Sequence, residues 1–180
     1  AAAGLVGVGA RVLGASIYTL PQFAAAVIDP RIRVVQLPIN ILDRRFADTL
    51  LQEAAEGGVR LIARSALLQG LLGDPDVARG RVPALDGALD ALREACSQLG
   101  RSPVEVAIQW VLARPGLYGL VIGAESVAQL EELMEAAQAA PLTPEEHWII
   151  ASLPDVSDDA VNPRRWPVQR AIEGPQGDPS

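Results

Sequence analysis

The sequence predicts a parallel α/β fold, on three observations. Short, nearly continuous apolar runs recur along the chain, each followed by a segment with helical spacing. Gly, Pro and Ser or Thr punctuate the changes between them. Polar residues gather where the apolar runs end: Ser16, Gln36, Asn40, Arg64 and Ser65, then Gly123 and Ser126. Strands alternating with helices pair in parallel, because each crossover carries a helix. In such folds ligands bind at the C-terminal edge of the strands. The pattern alone leaves two architectures open, a doubly wound sheet and part of a (β/α)8 barrel.

Residues 11–18, RVLGASIY, read as a strand closed by polar groups, and 20–28, LPQFAAAVI, as a helix with Pro near its start. Val34 to Pro38 is a second strand. Residues 45–57 carry helical spacing through Phe46, Leu50, Leu51, Ala54 and Ala55, and stop at Gly57-Gly58. Residues 59–63 form a third strand and 84–99 a helix. Ser102-Pro103-Val104-Glu105 is a capping-box start for a helix to Ala113. Leu117 to Ile122 is a fourth strand, followed by a helix over 126–138. Thr143-Pro144-Glu145-Glu146 caps a last helix through Ser152. From Pro154 on, Pro, Asp and Gly dominate and 154–180 reads as a tail; Asn162 to Pro167 is either disordered or docked on the body or a partner.

At 180 residues and 49% hydrophobic, the chain holds one domain with a sizeable core. A net charge of −7 gives no footprint for nucleic acid or an anionic membrane surface. No run approaches a membrane span. The single cysteine, Cys96, lies in a helical pattern as a small core residue, which fits a reducing cytosol. The first ten residues, AAAGLVGVGA, lack the charged region of a signal peptide. They lack an initiating Met, as in a sequence cut from something longer. The glycines at 4, 7 and 9 do not form G-x-G-x-x-G: Val stands at 12 and the run precedes its strand, like the end of a preceding helix.

The third strand runs into ARSALLQGLLG, residues 63–73. A serine and glycines there suit close approach of backbone N–H groups to a phosphate. Asp43-Arg44-Arg45 reads as a surface ion cluster. His147 and Trp148 read as helix-surface and packing residues.

GASIYT, VVQLPINILDRRF, IARSALLQGLLG, LGRSPVEVAIQWVLARPG and IGAESVAQLEELMEAA, in this order over about residues 10–153, resemble the C-terminal half of an aldo-keto reductase. The resemblance implies the last four βα units of a (β/α)8 barrel that binds NADPH or NADH at its rim and reduces a carbonyl. It implies that Ser16 and Gln36 hold the nicotinamide carboxamide and that Arg64 packs on the ring. Ser65, Leu67, Gln69 and Gly70 would wrap the pyrophosphate, and Gly123, Glu125, Ser126, Gln129 and Glu132 the adenosine end. In the family, Asp43-Arg44-Arg45 lies near the active-site rim.

Four departures from the family pattern stand out. Ile17 replaces a common Asn. Leu133 replaces an Asn that touches adenine. Glu125 replaces the Arg or Lys that pairs with the 2′-phosphate, which leans the choice to NAD over NADP. The family's Asp, Tyr, Lys and His tetrad belongs to the N-terminal half. This chain has no lysine, its only histidine is His147, and Tyr18 and Tyr118 match no catalytic position. No catalytic residue and no metal site is therefore expected here. A small-molecule carbonyl substrate, and an N-terminal half-barrel upstream or a second chain, are the expected partners. Two alternatives stay open: a catalytically silent relative that regulates or scaffolds, and an unrelated barrel that binds a phosphorylated small molecule at Ser65.

Overall fold

A computed structural model of the chain describes residues 12–166. Strands β1 (Leu13–Ser16), β2 (Ile32–Pro38), β3 (Arg60–Arg64) and β4 (Leu117–Leu120) form one parallel sheet in the order β1-β2-β3-β4. The helices are α1 (Leu20–Ile28), α2 (Asp48–Glu56), the single turn α3 (Pro75–Ala78), α4 (Asp86–Leu99), α5 (Pro103–Leu112), α6 (Val127–Gln138) and α7 (Pro144–Ala151). A sheet that grows in one direction keeps its right-handed crossovers on one face. A doubly wound sheet reverses direction, so the strand order selects the barrel wall from the two architectures the pattern left open.

Burial alternates along the strands accordingly. Val35 and Leu37 of β2 and Leu61 and Ala63 of β3 have no solvent exposure. Between them, Val34, Gln36, Ile62 and Arg64 are only half-buried, on the opposite face. Beneath the covered face lie Phe23 and Phe46, ring centroids 5.5 Å apart, with Leu51, Leu92 and Val111. Burying each such side chain stabilises the fold by about 1.5–3 kcal/mol.

Helix α5 is apolar almost all round and is buried accordingly, including Gln109. The Gln109 amide donates to the carbonyls of Ala136 (2.8 Å) and Ala137 (3.3 Å), satisfying acceptors in the last turn of α6. Thr143 and Glu146 form the reciprocal cap expected for α7. At α5 only half of the expected box forms: Ser102 Oγ accepts from the Glu105 amide, while the Glu105 carboxylate turns to Arg101.

Three other expectations are corrected. The helix over 84–99 opens as a 3₁₀ turn, Pro83–Leu85, before α4 proper. The single turn α3 falls in a stretch to which the sequence pattern assigned no element. The segment from Pro154 is not a free tail as far as Trp166. Ala160 and Val161 are buried in the core, and the Trp166 indole donates to the Ala160 carbonyl at 2.7 Å. Scattered tertiary contacts, with no periodicity, hold it. The glycines at 4, 7 and 9 and residues 167–180 lie outside the described residues.

Two outcomes test this packing. Gly116 has φ +75° where the chain enters β4, and a Cβ there would sit 2.6 Å from the Leu51 carbonyl oxygen. Gly116→Ala should cost about 1–3 kcal/mol in denaturant unfolding. Burial raises the Cys96 thiol to about 11, with a smaller push from Glu105. Thiol labelling at pH 8 should therefore track global unfolding, and rapid labelling of the native protein would contradict this packing.

Candidate functional site: the C-terminal rim of the sheet

Ser16 and Gln36 are neighbours in the β1–β2 ladder, so their side chains project side by side from the same face. The Ile17 amide donates to the Gln36 carbonyl at 2.9 Å and locks this register beyond β1. Neither the Ser16 hydroxyl nor the Gln36 amide has a hydrogen-bond partner among the described residues. Gln36 is thus no core glutamine tied to backbone but a half-exposed, unused group. Ile17, where the family often has Asn, is 4% exposed and belongs to the core.

Asn40 is fully buried just past β2. Its Oδ1 accepts from the amides of Leu42 (3.0 Å) and Asp43 (2.9 Å), and its Nδ2 donates to the Ser65 carbonyl at 3.3 Å. One side chain therefore ties the loop after β2 to the loop after β3. Asp43-Arg44-Arg45 is not the surface cluster expected. Asp43 is 2% exposed and grips Arg45 through both oxygens, at 2.6 and 3.0 Å. Burial raises the Asp43 carboxyl, with the Arg45 hydrogen bonds opposing it. Arg44 donates to the carbonyls of Ile41, Ile150 and Ala151, a cation at the C-terminus of α7. Spacing alone could not show that tertiary acceptors wait for these groups.

The loop after β3 has a strained shape. Ser65 (φ 61°), Leu68 (46°) and Gln69 (55°) are non-glycine residues in the left-handed region, followed by Gly70 at 85°. Each non-glycine in that region costs about 1–2 kcal/mol. Bonds from Leu68 to Ser65 and from Leu72 to Leu67 hold the coil. The amides of Leu67, Gln69 and Gly70 donate to no protein acceptor among the described residues.

Those residues line a groove of about 760 Å³. Ser65, Leu67, Gln69 and Gly70 form one wall, and Gly123, Glu125 and Gln129 from the β4–α6 connection another. Two segments some sixty residues apart, singled out separately in the sequence, are thus brought to one cleft. Ser126 caps α6 by accepting from the Gln129 amide at 3.1 Å, and the Gln129 side chain accepts from the Glu125 amide at 2.6 Å. Glu132 is exposed on α6 and does not line the groove, while Leu133 is buried against α5. Arg81 also lines the groove, and sequence reasoning missed it. It lies in an irregular connection anchored by the Arg79–Asp90 ion pair and by Asp86 on the Gly80 amide, with no motif to flag it.

Ser16, Gln36 and Arg64 lie on the rim beside this groove, outside its lining. Arg64 donates to the Ser65 hydroxyl and the Ile17 carbonyl, both at 3.1 Å, and stacks 4.1 Å from the Tyr18 ring centroid. Arg164, from the C-terminal segment, stacks 4.2 Å from the same ring.

Residues 10–155 match the Aldo/keto reductase family, and the chain belongs to it. It is 24% identical over 143 residues to aldo-keto reductase YhdN of Bacillus subtilis, covering 69% of this chain and 43% of that protein. Among solved structures it is similar to aldo-keto reductase AKR11C1 from Bacillus halodurans in its holo form, with TM-score 0.66 and 27% identity over 82% of this chain and 51% of that one. Glycerol dehydrogenase AKR11B4 from Gluconobacter oxydans shares the fold, with TM-score 0.60, 22% identity and 83% and 51% coverage. The chain therefore spans about half the length of the relatives it matches. No helix among the described residues is long and apolar enough to cross a membrane.

Asn40→Ala should loosen both rim loops together, because it leaves the buried Leu42 amide without an acceptor, the Asp43 amide with only the backbone carbonyl of residue 40, and the Ser65 carbonyl without its side-chain donor. The expected cost is about 1–3 kcal/mol, with faster hydrogen exchange at Leu42. A variant as stable as the parent would deny Asn40 this linking role.

Proposed function

We propose that the protein carrying this chain is a nicotinamide-dependent oxidoreductase that reduces an aldehyde, ketone or sugar carbonyl. In this reading the chain supplies the cofactor-binding half. The observation that carries it is the groove between the Ser65–Gly70 loop and the Gly123–Gln129 segment, with three unpartnered amides on its wall. Such amides, left-handed backbone and a glycine suit a pyrophosphate. Ser65 adds a hydroxyl, and Arg81 adds a cation beside the groove. Ser16 and Gln36, both unused and adjacent, suit the two-sided hydrogen bonding of a carboxamide. The bound dinucleotide would supply the hydride. The chain's own part is to hold and orient it, so that one face of the ring meets the substrate.

Glu125 at the groove edge favours a free ribose hydroxyl over a 2′-phosphate, so NAD is preferred to NADP. The proton donor to the carbonyl belongs to the N-terminal half of the barrel. A catalytically silent relative is the second reading, favoured by the altered adenosine block, in which Glu125 and Leu133 stand in place of family residues. Finding Asp, Tyr, Lys and His at family spacing upstream of Ala1 would settle the choice for the enzyme.

The partner is that N-terminal half, or a second chain in its place. Among the described residues β1 and β4 each have a neighbour on one side only, and Val12, Val121, Leu130 and Met134 are exposed beside them. Residues 1–180 alone should elute larger than a monomer and show no turnover over a panel of aldehydes. Robust NAD(P)H oxidation abolished by Ser65→Ala would require an acid within this chain and reject the half-site reading.

In the complete protein, Gly70→Val should weaken dinucleotide binding by about tenfold or more, by calorimetry, since φ +85° strains any side chain there. Unchanged affinity counts against the clasp. Glu125→Arg should move preference toward NADP by removing a repulsive charge and adding a phosphate partner. A parent enzyme that already prefers NADP strongly would show the Glu125 argument to be wrong.

A further inference from the structure

The rim carries a second charged feature, away from the groove. Tyr18, just past β1, has the guanidinium carbons of Arg64 and Arg164 at 4.1 and 4.2 Å from its ring centroid. By the triangle inequality the two carbons lie no farther apart than the sum of these distances. Neither arginine has a carboxylate partner among the described residues. The nearby Arg45 differs, since Asp43 and, at 4.0 Å, Asp158 neutralise it.

Stacking on the tyrosine engages the flat face of each guanidinium and leaves its in-plane N–H donors free. Arg64 spends two donors, on Ser65 and Ile17. The Arg164 side chain makes no hydrogen bond among the described residues. A chain of net charge −7 thus holds two cations without a carboxylate partner among the described residues on one ring, at the strand ends where Ser16 and Gln36 project. Like charges held this near disfavour one another, and an anion that reaches both removes that cost.

We infer that Arg64 and Arg164, both held against Tyr18, form an anion-binding pair that recognises a carboxylate or phosphate on the carbonyl substrate. This rests on the reductase reading of the rim. The pair takes the anionic end of the substrate, leaving its carbonyl for the Ser16–Gln36 side. The phosphates of a dinucleotide are served elsewhere, because Tyr18, Arg64 and Arg164 do not line the groove.

The test uses the complete protein and calorimetry with benzoate and benzyl alcohol, alike in shape and different in charge. Benzoate should bind more tightly. Arg164→Met should weaken it at least about tenfold, Arg164→Lys less, and neither should change benzyl alcohol binding. Arg64→Met provides an independent variant at the same ring, with circular dichroism checking the fold. With dinucleotide saturating, Arg164→Met should raise KM for 4-carboxybenzaldehyde and leave that for 4-methylbenzaldehyde unchanged. Benzoate binding no better than the alcohol, or indifferent to both arginine variants, overturns the inference. So does a loss of NADH affinity in Arg164→Met without loss of benzoate binding, which would give the pair to the cofactor. If no dinucleotide binds while benzoate still depends on Arg164, the anion site stands and the reductase reading falls.

Discussion

Parallel pairing in one direction is the constraint on which the remaining structure depends. Because β1 to β4 add in sequence order, every strand presents its C-terminal end to the same rim. All that bears on function follows from that edge. Ser16 and Gln36 meet because their strands are in register, and Arg64 comes within reach of Ile17 because β3 stands two strands away. The helices on the covered face supply the apolar burial, so the rim loops are free to hold polar and strained residues.

Strain and satisfaction are divided between the loops. The Asn40 turn is satisfied: its side chain accepts two amides, and the neighbouring Asp43–Arg45 pair is buried and bidentate. The Ser65–Gly70 loop is strained and leaves amides unpartnered. A rigid, satisfied turn braces a strained one through the bond from Asn40 to the Ser65 carbonyl. Such bracing is what holds left-handed non-glycine residues in place, and backbone strain of this kind concentrates at ligand sites.

The match to about half of each relative gives the edges of the sheet their meaning. A closed barrel has no edges, yet among the described residues this sheet has two, flanked by exposed apolar residues at β4 and α6. The cleft between α5 and α6, lined by Ile108, Leu130, Leu133 and Met134, is the outer continuation of the same open side. The C-terminal segment is different. It closes on its own body, with Ala160 and Val161 in the core, and carries Arg164 to the rim.

The sequence by itself determined the succession of strands and helices, most of their caps and the parallel class. These depend on local periodicity and on short-range hydrogen bonds, as in Thr143 with Glu146. The ordered blocks marked the family and the two segments that line the groove. Tertiary structure decided what depends on partners distant in the chain. Asp43 looked like a surface charge because nothing within a few residues shows that its side chain turns inward. Arg81 had no motif, and only folding brings it into the same groove lining as Glu125. The stretch from Pro154 has no periodicity, because it is held by single contacts from Val161 and Trp166 and not by a repeating face. Tyr18 with two arginines against its ring joins residues from three separate parts of the chain, a geometry that exists only once the strands have set the rim.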